Sequence, residues 1–224
     1  MRRWLDTLKT LIWKDLLQEW RGKEILTSML AFAILSVFIF NYALELDPRQ
    51  RAELAPGILW VVIMFSGTLG LNRSFSAEQD QGSFDALMLA LPSPASLWLA
   101  KQITNFLIML LMMAILLPVY SLLYNQNLFI PGLIAVLIAG AWAFGAAGTL
   151  LAGMTVQTRA RDLLLPLLLF PVLMPVNMAV VKAGSGFITA APLDTFQVWI
   201  AALVVYGIVM TTISLLVFEY VILE

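Results

Sequence analysis

The sequence predicts an all-α membrane protein. Six helices cross the bilayer, an N-terminal amphipathic helix lies in the interface, and a polar segment interrupts the apolar chain between the second and third spans. Three observations carry this. The 224 residues are 61% hydrophobic and only 12% charged, whereas a soluble domain is about half apolar and about a quarter charged. Six stretches approach the roughly 20 apolar residues that a crossing needs. One segment, 73–101, cannot sit in lipid, because Arg73, Glu78, Asp80 and Asp85 lie too close together.

Residues 1–24 form a first unit, and 25–224 the six-helix body. In 1–24, Trp4, Leu5, Leu8, Leu11, Ile12, Leu16 and Trp20 recur at helical spacing among Arg2, Arg3, Lys9, Lys14, Arg21 and Lys23. Basic residues and tryptophan on an amphipathic helix mark one that lies in the membrane interface. A secretory signal is not expected here: the charged region is too long and no small-residue cleavage site follows.

The spans are read as Ile25–Leu44, Ala55–Leu71, Gln102–Tyr124, Gly132–Val156, Leu163–Val181 and Phe196–Phe218. With the N-terminus inside, the inner side holds Arg2, Arg3, Lys9, Lys14, Arg21, Lys23, Arg73, Lys101, Arg159 and Arg161. Only Arg49, Arg51 and Lys182 fall outside. Loop cations set orientation, so both termini and the 73–101 segment are expected in the cytoplasm. Within that segment Ser76 and Ser83 are good N-caps, Asp80 and Asp85 favour a helix N-terminus, and Pro92 stops a helix.

The fourth span is rich in small residues. Ala141, Gly145 and Thr149 sit four apart, as do Gly148 and Ala152, a spacing that lets helix backbones approach closely. Packing within one subunit is the favoured use, ahead of a dimer seam. The fifth span carries Pro166, Pro171 and Pro175, each of which removes a backbone donor and kinks the helix. Such kinks line a pathway, form a hinge or only shape packing. Asn41, Asn72, Asn105 and Asn177 fit helix–helix hydrogen bonds better than substrate ligands.

Much chemistry is excluded. The chain has no His and no Cys, which removes thiolate sites, Ser-His-Asp and Cys-His sets and H-E-x-x-H zinc sites. The single Gly-Lys pair, Gly22-Lys23, is followed by Glu24 and has no P-loop glycine before it. No span carries a convincing buried charge, which argues against a proton-coupled carrier. A membrane body driven by another subunit is the simpler account. A channel or scaffold would instead show a polar pore-lining stripe, and the residue inventory gives almost no support to an intramembrane enzyme.

The order of elements resembles the ABC-2 type permeases. The run Glu78-x-Asp80-x-Gly82-Ser83-Phe84-Asp85, then Leu91-Pro92 and Lys101, is similar to the segment that carries the coupling helix in that group. More closely, the chain resembles the heme exporter protein B (CcmB) family. Ala55-Pro56-Gly57-Ile58-Leu59-Trp60, Arg73-x-Phe75, Asp80-x-Gly82-Ser83, Leu87-Met88-Leu89 and the run Leu164-Leu165-Pro166 to Pro171-Val172-Leu173-Met174-Pro175-Val176 carry this likeness.

The resemblance implies the non-catalytic permease subunit of an ABC complex in the bacterial inner membrane. The complex is required for heme delivery to the periplasm in c-type cytochrome biogenesis. Implied partners are an ATPase subunit (CcmA-like), a heme-handling membrane subunit (CcmC-like), a small membrane subunit (CcmD-like) and a second copy of this chain. ATP is used by the partner, and heme is the substrate of the complex. Glu78, Asp80, Gly82, Ser83, Asp85 and Pro92 are the implied coupling residues; Gly82 would allow a close approach and the acidic groups would meet basic residues of the ATPase. The alternative is an ABC-2 permease exporting a lipid, drug or polysaccharide. Heme iron takes His, Met, Cys or Tyr, so only Met and Tyr are left here. Met112, Met113 and Met174 read as gap-filling core residues, and iron coordination is expected on a partner.

Overall fold

The computed structural model describes residues 2–44, 47–80, 94–156, 158 and 160–223, and among these there are eight helices and no strand. Helix α1 is Arg2–Gly22 and α2 is Glu24–Ala43. Between them Lys23 adopts a left-handed conformation, φ 54°. The elbow is held from α1: the Glu19 carboxylate accepts hydrogen bonds from the backbone N–H groups of Ile25 (3.2 Å) and Leu26 (2.8 Å). These are among the donors that a helix start leaves unpaired.

Helix α3 is Pro48–Asp80, far longer than the expected 55–71 span. Its start is a capping box. The Asp47 carboxylate accepts from Gln50 N at 2.9 Å, and Gln50 Oε1 accepts from Asp47 N at 3.3 Å, with Pro48 at the first helical position. Its end corrects the reading of 73–101 as one polar segment. Ser76 lies inside α3 rather than capping a new helix. The helix runs on because Leu71, Ser74 and Phe75 remain buried, so its core-facing stripe does not stop where the polar residues begin.

Helix α4 is Pro94–Tyr124 and begins eight residues before the expected Gln102. Leu97, Trp98 and Ala100 of the presumed loop are buried. The helix passes through Pro118 and ends where Asn125 turns left-handed, φ 50°. Helix α5, Pro131–Thr155, agrees with the expected fourth span within a residue. It is the central helix. A methyl group at Gly140 would meet Trp60 and Val180, at Gly145 Gln102, at Gly148 Leu71 and at Gly153 Phe218. Its glycines thus receive side chains from α3, α4 and two later helices.

The fifth span is two helices, α6 (Arg161–Val172) and α7 (Met174–Ile188), bent by 58° at Leu173. Pro166 and Pro171 lie within α6, and Pro175 opens α7. Proline withholds the N–H that would continue the ladder. The Val172 carbonyl at the break accepts a hydrogen bond from the Tyr206 hydroxyl at 2.7 Å instead. Lys182, expected in an outer loop, is within α7. Helix α8, Leu193–Leu223, closes on α5 through Ser214 Oγ donating to Ala146 O (3.2 Å) and Trp142 Nε1 donating to Thr211 Oγ1 (3.1 Å).

By length and composition five helices can cross a membrane, and six crossings result if the bent pair is one span. The centre of the bundle is α3 and α5. Trp60, Tyr120, Phe75 and Phe144 are wholly buried around them.

Candidate functional site at the charged end of the bundle

The most polar packing in the chain lies where α3 ends and α4 begins. Lys101 of α4 is only 3% exposed along its side chain. Its Nζ lies 3.1 Å from Asp15 Oδ2 of α1, donates to Ser74 O of α3 at 3.2 Å, and sits 5.8 Å from the centre of the Phe75 ring. Asp15 is 9% exposed, and its other oxygen is 3.1 Å from Lys14 Nζ. An ammonium at this depth is costly unless charge and hydrogen bonds are supplied; here both are. The sequence reading had placed Lys101 in a loop, and that is corrected: its carboxylate partner lies on α1, which it could not see.

Further polar contacts tie the same end together. Arg73 of α3 faces Glu24 of α2 at 3.9 Å, both largely exposed, so this pair adds little to stability. Asn72 Nδ2 donates to Asp162 Oδ1 of α6 at 2.8 Å. With Glu19 capping α2, five helices share one collar. Segment 81–93 joins α3 to α4 at this collar. Ser74 is six residues before the end of α3, and Lys101 seven residues after the start of α4. At 1.5 Å per residue the node is about 10 Å along the helices from where the segment leaves and returns.

A second polar pair is interior. Gln102 is fully buried. Its Nε2 donates to Trp142 O at 3.1 Å, and its Oε1 accepts from Thr149 Oγ1 at 3.2 Å. Gly145 leaves room for this amide, since a Cβ there would be 2.6 Å from Gln102 Oε1. Of the four asparagines, Asn41 donates to Leu123 O, Asn72 pairs with Asp162, and Asn177 Oδ1 accepts from Trp60 Nε1. Asn105 Nδ2 is buried without a partner beside a void of about 10 Å³ lined by Gly67, Gly70, Phe144 and Gly145. That is room for about one water. Among the described residues no three His, Cys, Asp or Glu side chains gather as for a metal.

The geometry is that of a helical body with a braced polar end, and sequence comparison agrees along its length. The CcmB protein family profile matches residues 6–221. The chain belongs to the CcmB family. Heme exporter protein B of Haemophilus influenzae is 32% identical over 158 residues, 70% of this chain and 71% of that one. Heme exporter protein B of Paracoccus denitrificans is 30% identical over 198 residues, 88% and 90% of the two chains. The Pseudomonas aeruginosa protein of the same name is 26% identical over 200 residues, 87% of each.

In this CcmB-family chain the expected coupling residues divide. Glu78 and Asp80 lie in the last turn of α3. Gly82, Ser83, Asp85 and Pro92 lie outside the described residues. Ala141, Gly145, Gly148 and Thr149 are all buried, facing neighbours of the same subunit where contacts are defined. Pro166, Pro171 and Pro175 flank the 58° break. Met112 and Met113 are core residues, 0% and 4% exposed, but Met174 is 60% exposed, so its reading as a gap-filler is corrected. Sequence reasoning missed Asp15 and Gln102. A carboxylate in a basic helix and a glutamine opening an apolar run were the signals available.

Proposed function

We propose that this chain is the permease subunit of an ATP-driven complex that delivers heme across the bacterial inner membrane for c-type cytochrome biogenesis. The relatives' name, heme exporter protein B, supports the substrate. The observation that carries the mechanical part is the Asp15–Lys101–Ser74 node at the root of segment 81–93. A partner ATPase pressing on Glu78–Pro92 would load α3 and α4 together, and α1 with them, because the node joins all three. Both termini face the cytoplasm in this reading, by the ten-to-three excess of inner cations. The six-helix body 25–224 then works with a CcmA-like ATPase, CcmC-like and CcmD-like membrane subunits and a second copy of itself. ATP hydrolysis belongs to the partner chain.

Reversing the charges of Glu78, Asp80 and Asp85 together tests this. The complex is expected to keep its ATPase activity and lose holocytochrome c, read by heme staining. Undiminished cytochrome yield from an intact complex overturns the coupling role.

A further inference from the structure

The exposed face of α7 carries a cation with no carboxylate beside it. Lys182 is exposed and lies six residues before the helix end at Ile188. Met178 and Met174 precede it at steps of four, 48% and 60% exposed. Residues four apart stand on one side of a helix, about 6 Å apart along its axis. The opposite side of α7, Val176, Ala179, Val180 and Ala183, is buried. No carboxylate among the described residues forms an ion pair with Lys182.

A cation on an exposed strip of a membrane helix is costly and is met by pairing. The strip offers a poor seat for another helix, because close helix contacts use small residues and here three long flexible side chains stand in a row. It suits a flat apolar molecule with a soft metal at its centre and an acid at its edge. Thioethers are soft, adaptable contacts and can ligate heme iron. A lysine ammonium is a point charge that meets a carboxylate. The strip also begins at the 58° break, beside the Tyr206 hydroxyl bond that holds it.

We infer that Met174, Met178 and Lys182 form an open docking strip for heme on α7, with a thioether toward the iron and the ammonium toward a propionate. This rests on the heme-delivery reading. It adds to that reading a contact on this chain, which the buried Met112 and Met113 could not supply.

The test is absorbance titration of the full chain in lipid nanodiscs against empty nanodiscs. Three probes are used: heme, metal-free protoporphyrin IX and heme dimethyl ester. The chain should prefer heme to each of the others by about tenfold, the scale of one good charged or ligand contact. The double variant Met174→Leu/Met178→Leu keeps shape and should erase the preference over the metal-free ring. Lys182→Gln should erase the preference over the diester. Binding no better than in empty nanodiscs is lipid partitioning and overturns the proposal, as do variants that titrate like the parent. Heme staining of a deletion strain separates the two readings. If c-type cytochromes persist without this chain, the delivery reading fails. If they vanish but the strip variants restore them and titrate normally, the strip alone fails.

Discussion

Lys101 on α4 and Asp15 on α1, 86 positions apart in sequence, hold their charged atoms 3.1 Å apart with both side chains withdrawn from solvent. The pair is asymmetric. Asp15 has Lys14 as a second cation, itself 42% exposed, while the Lys101 ammonium depends on Asp15 and the Ser74 carbonyl for the bonds described. Removing the carboxylate therefore strands the more deeply buried charge.

Asp15→Asn is expected to destabilise by about 3–5 kcal/mol, the cost of leaving a buried charge uncompensated. Lys101→Met should cost less, and the double variant less than the sum. Thermal unfolding in mild detergent checks the order. Additive losses would show that the two groups do not act as a pair.

Gly148→Ala places a methyl 2.3 Å from Leu71 Cδ1 in the centre of the bundle. Overpacking of this kind costs about 1–3 kcal/mol. Leu71→Val, which shortens the facing side chain, should restore part of the loss in the same unfolding measurement. The second change alone should destabilise, so recovery in the double variant identifies the contact.

Tyr206→Phe leaves the Val172 carbonyl at the break without the Tyr206 donor, at a cost of about 1–3 kcal/mol for an unmade buried bond. Amide hydrogen exchange should quicken over 173–177 and stay unchanged over α5. Uniform acceleration along the chain would instead mean general loss of packing.

Asp47→Ala removes the acceptor at the start of α3, worth about 0.5–2 kcal/mol. Exchange should rise in the first turn, at 49–52. Asp47→Ser should restore most of the protection, because a hydroxyl also caps.

The apolar runs and the small residues of α5 were legible, because a helix that crosses lipid declares itself by composition over twenty positions. The start of α3 was legible too and was missed. Asp47-Pro48-Arg49-Gln50 is a cap, a first-turn proline and a reciprocal acid–amide pair written in four letters. The positions of Lys101 and Lys182 were not legible by the same route. A lysine at the edge of an apolar run reads as loop, since its burial or exposure depends on what lies across from it. For Lys101 that partner sits on α1; for Lys182 the chain supplies none among the described residues. The break at Leu173 was foreshadowed by its prolines, but its angle depends on Tyr206, which comes 33 residues later.

The unequal helix lengths carry a last consequence. Helix α2 has 20 residues and α3 has 33, about 30 Å against about 50 Å, while a hydrocarbon core is about 30 Å thick. The shorter rod has no slack and sets the bilayer thickness the subunit tolerates. The longer one stands proud of the headgroups or leans. Bilayer thickness then governs the lean of α3, and with it the height at which segment 81–93 is offered to a neighbour. Thinner or thicker lipids should retune the subunit without touching a residue.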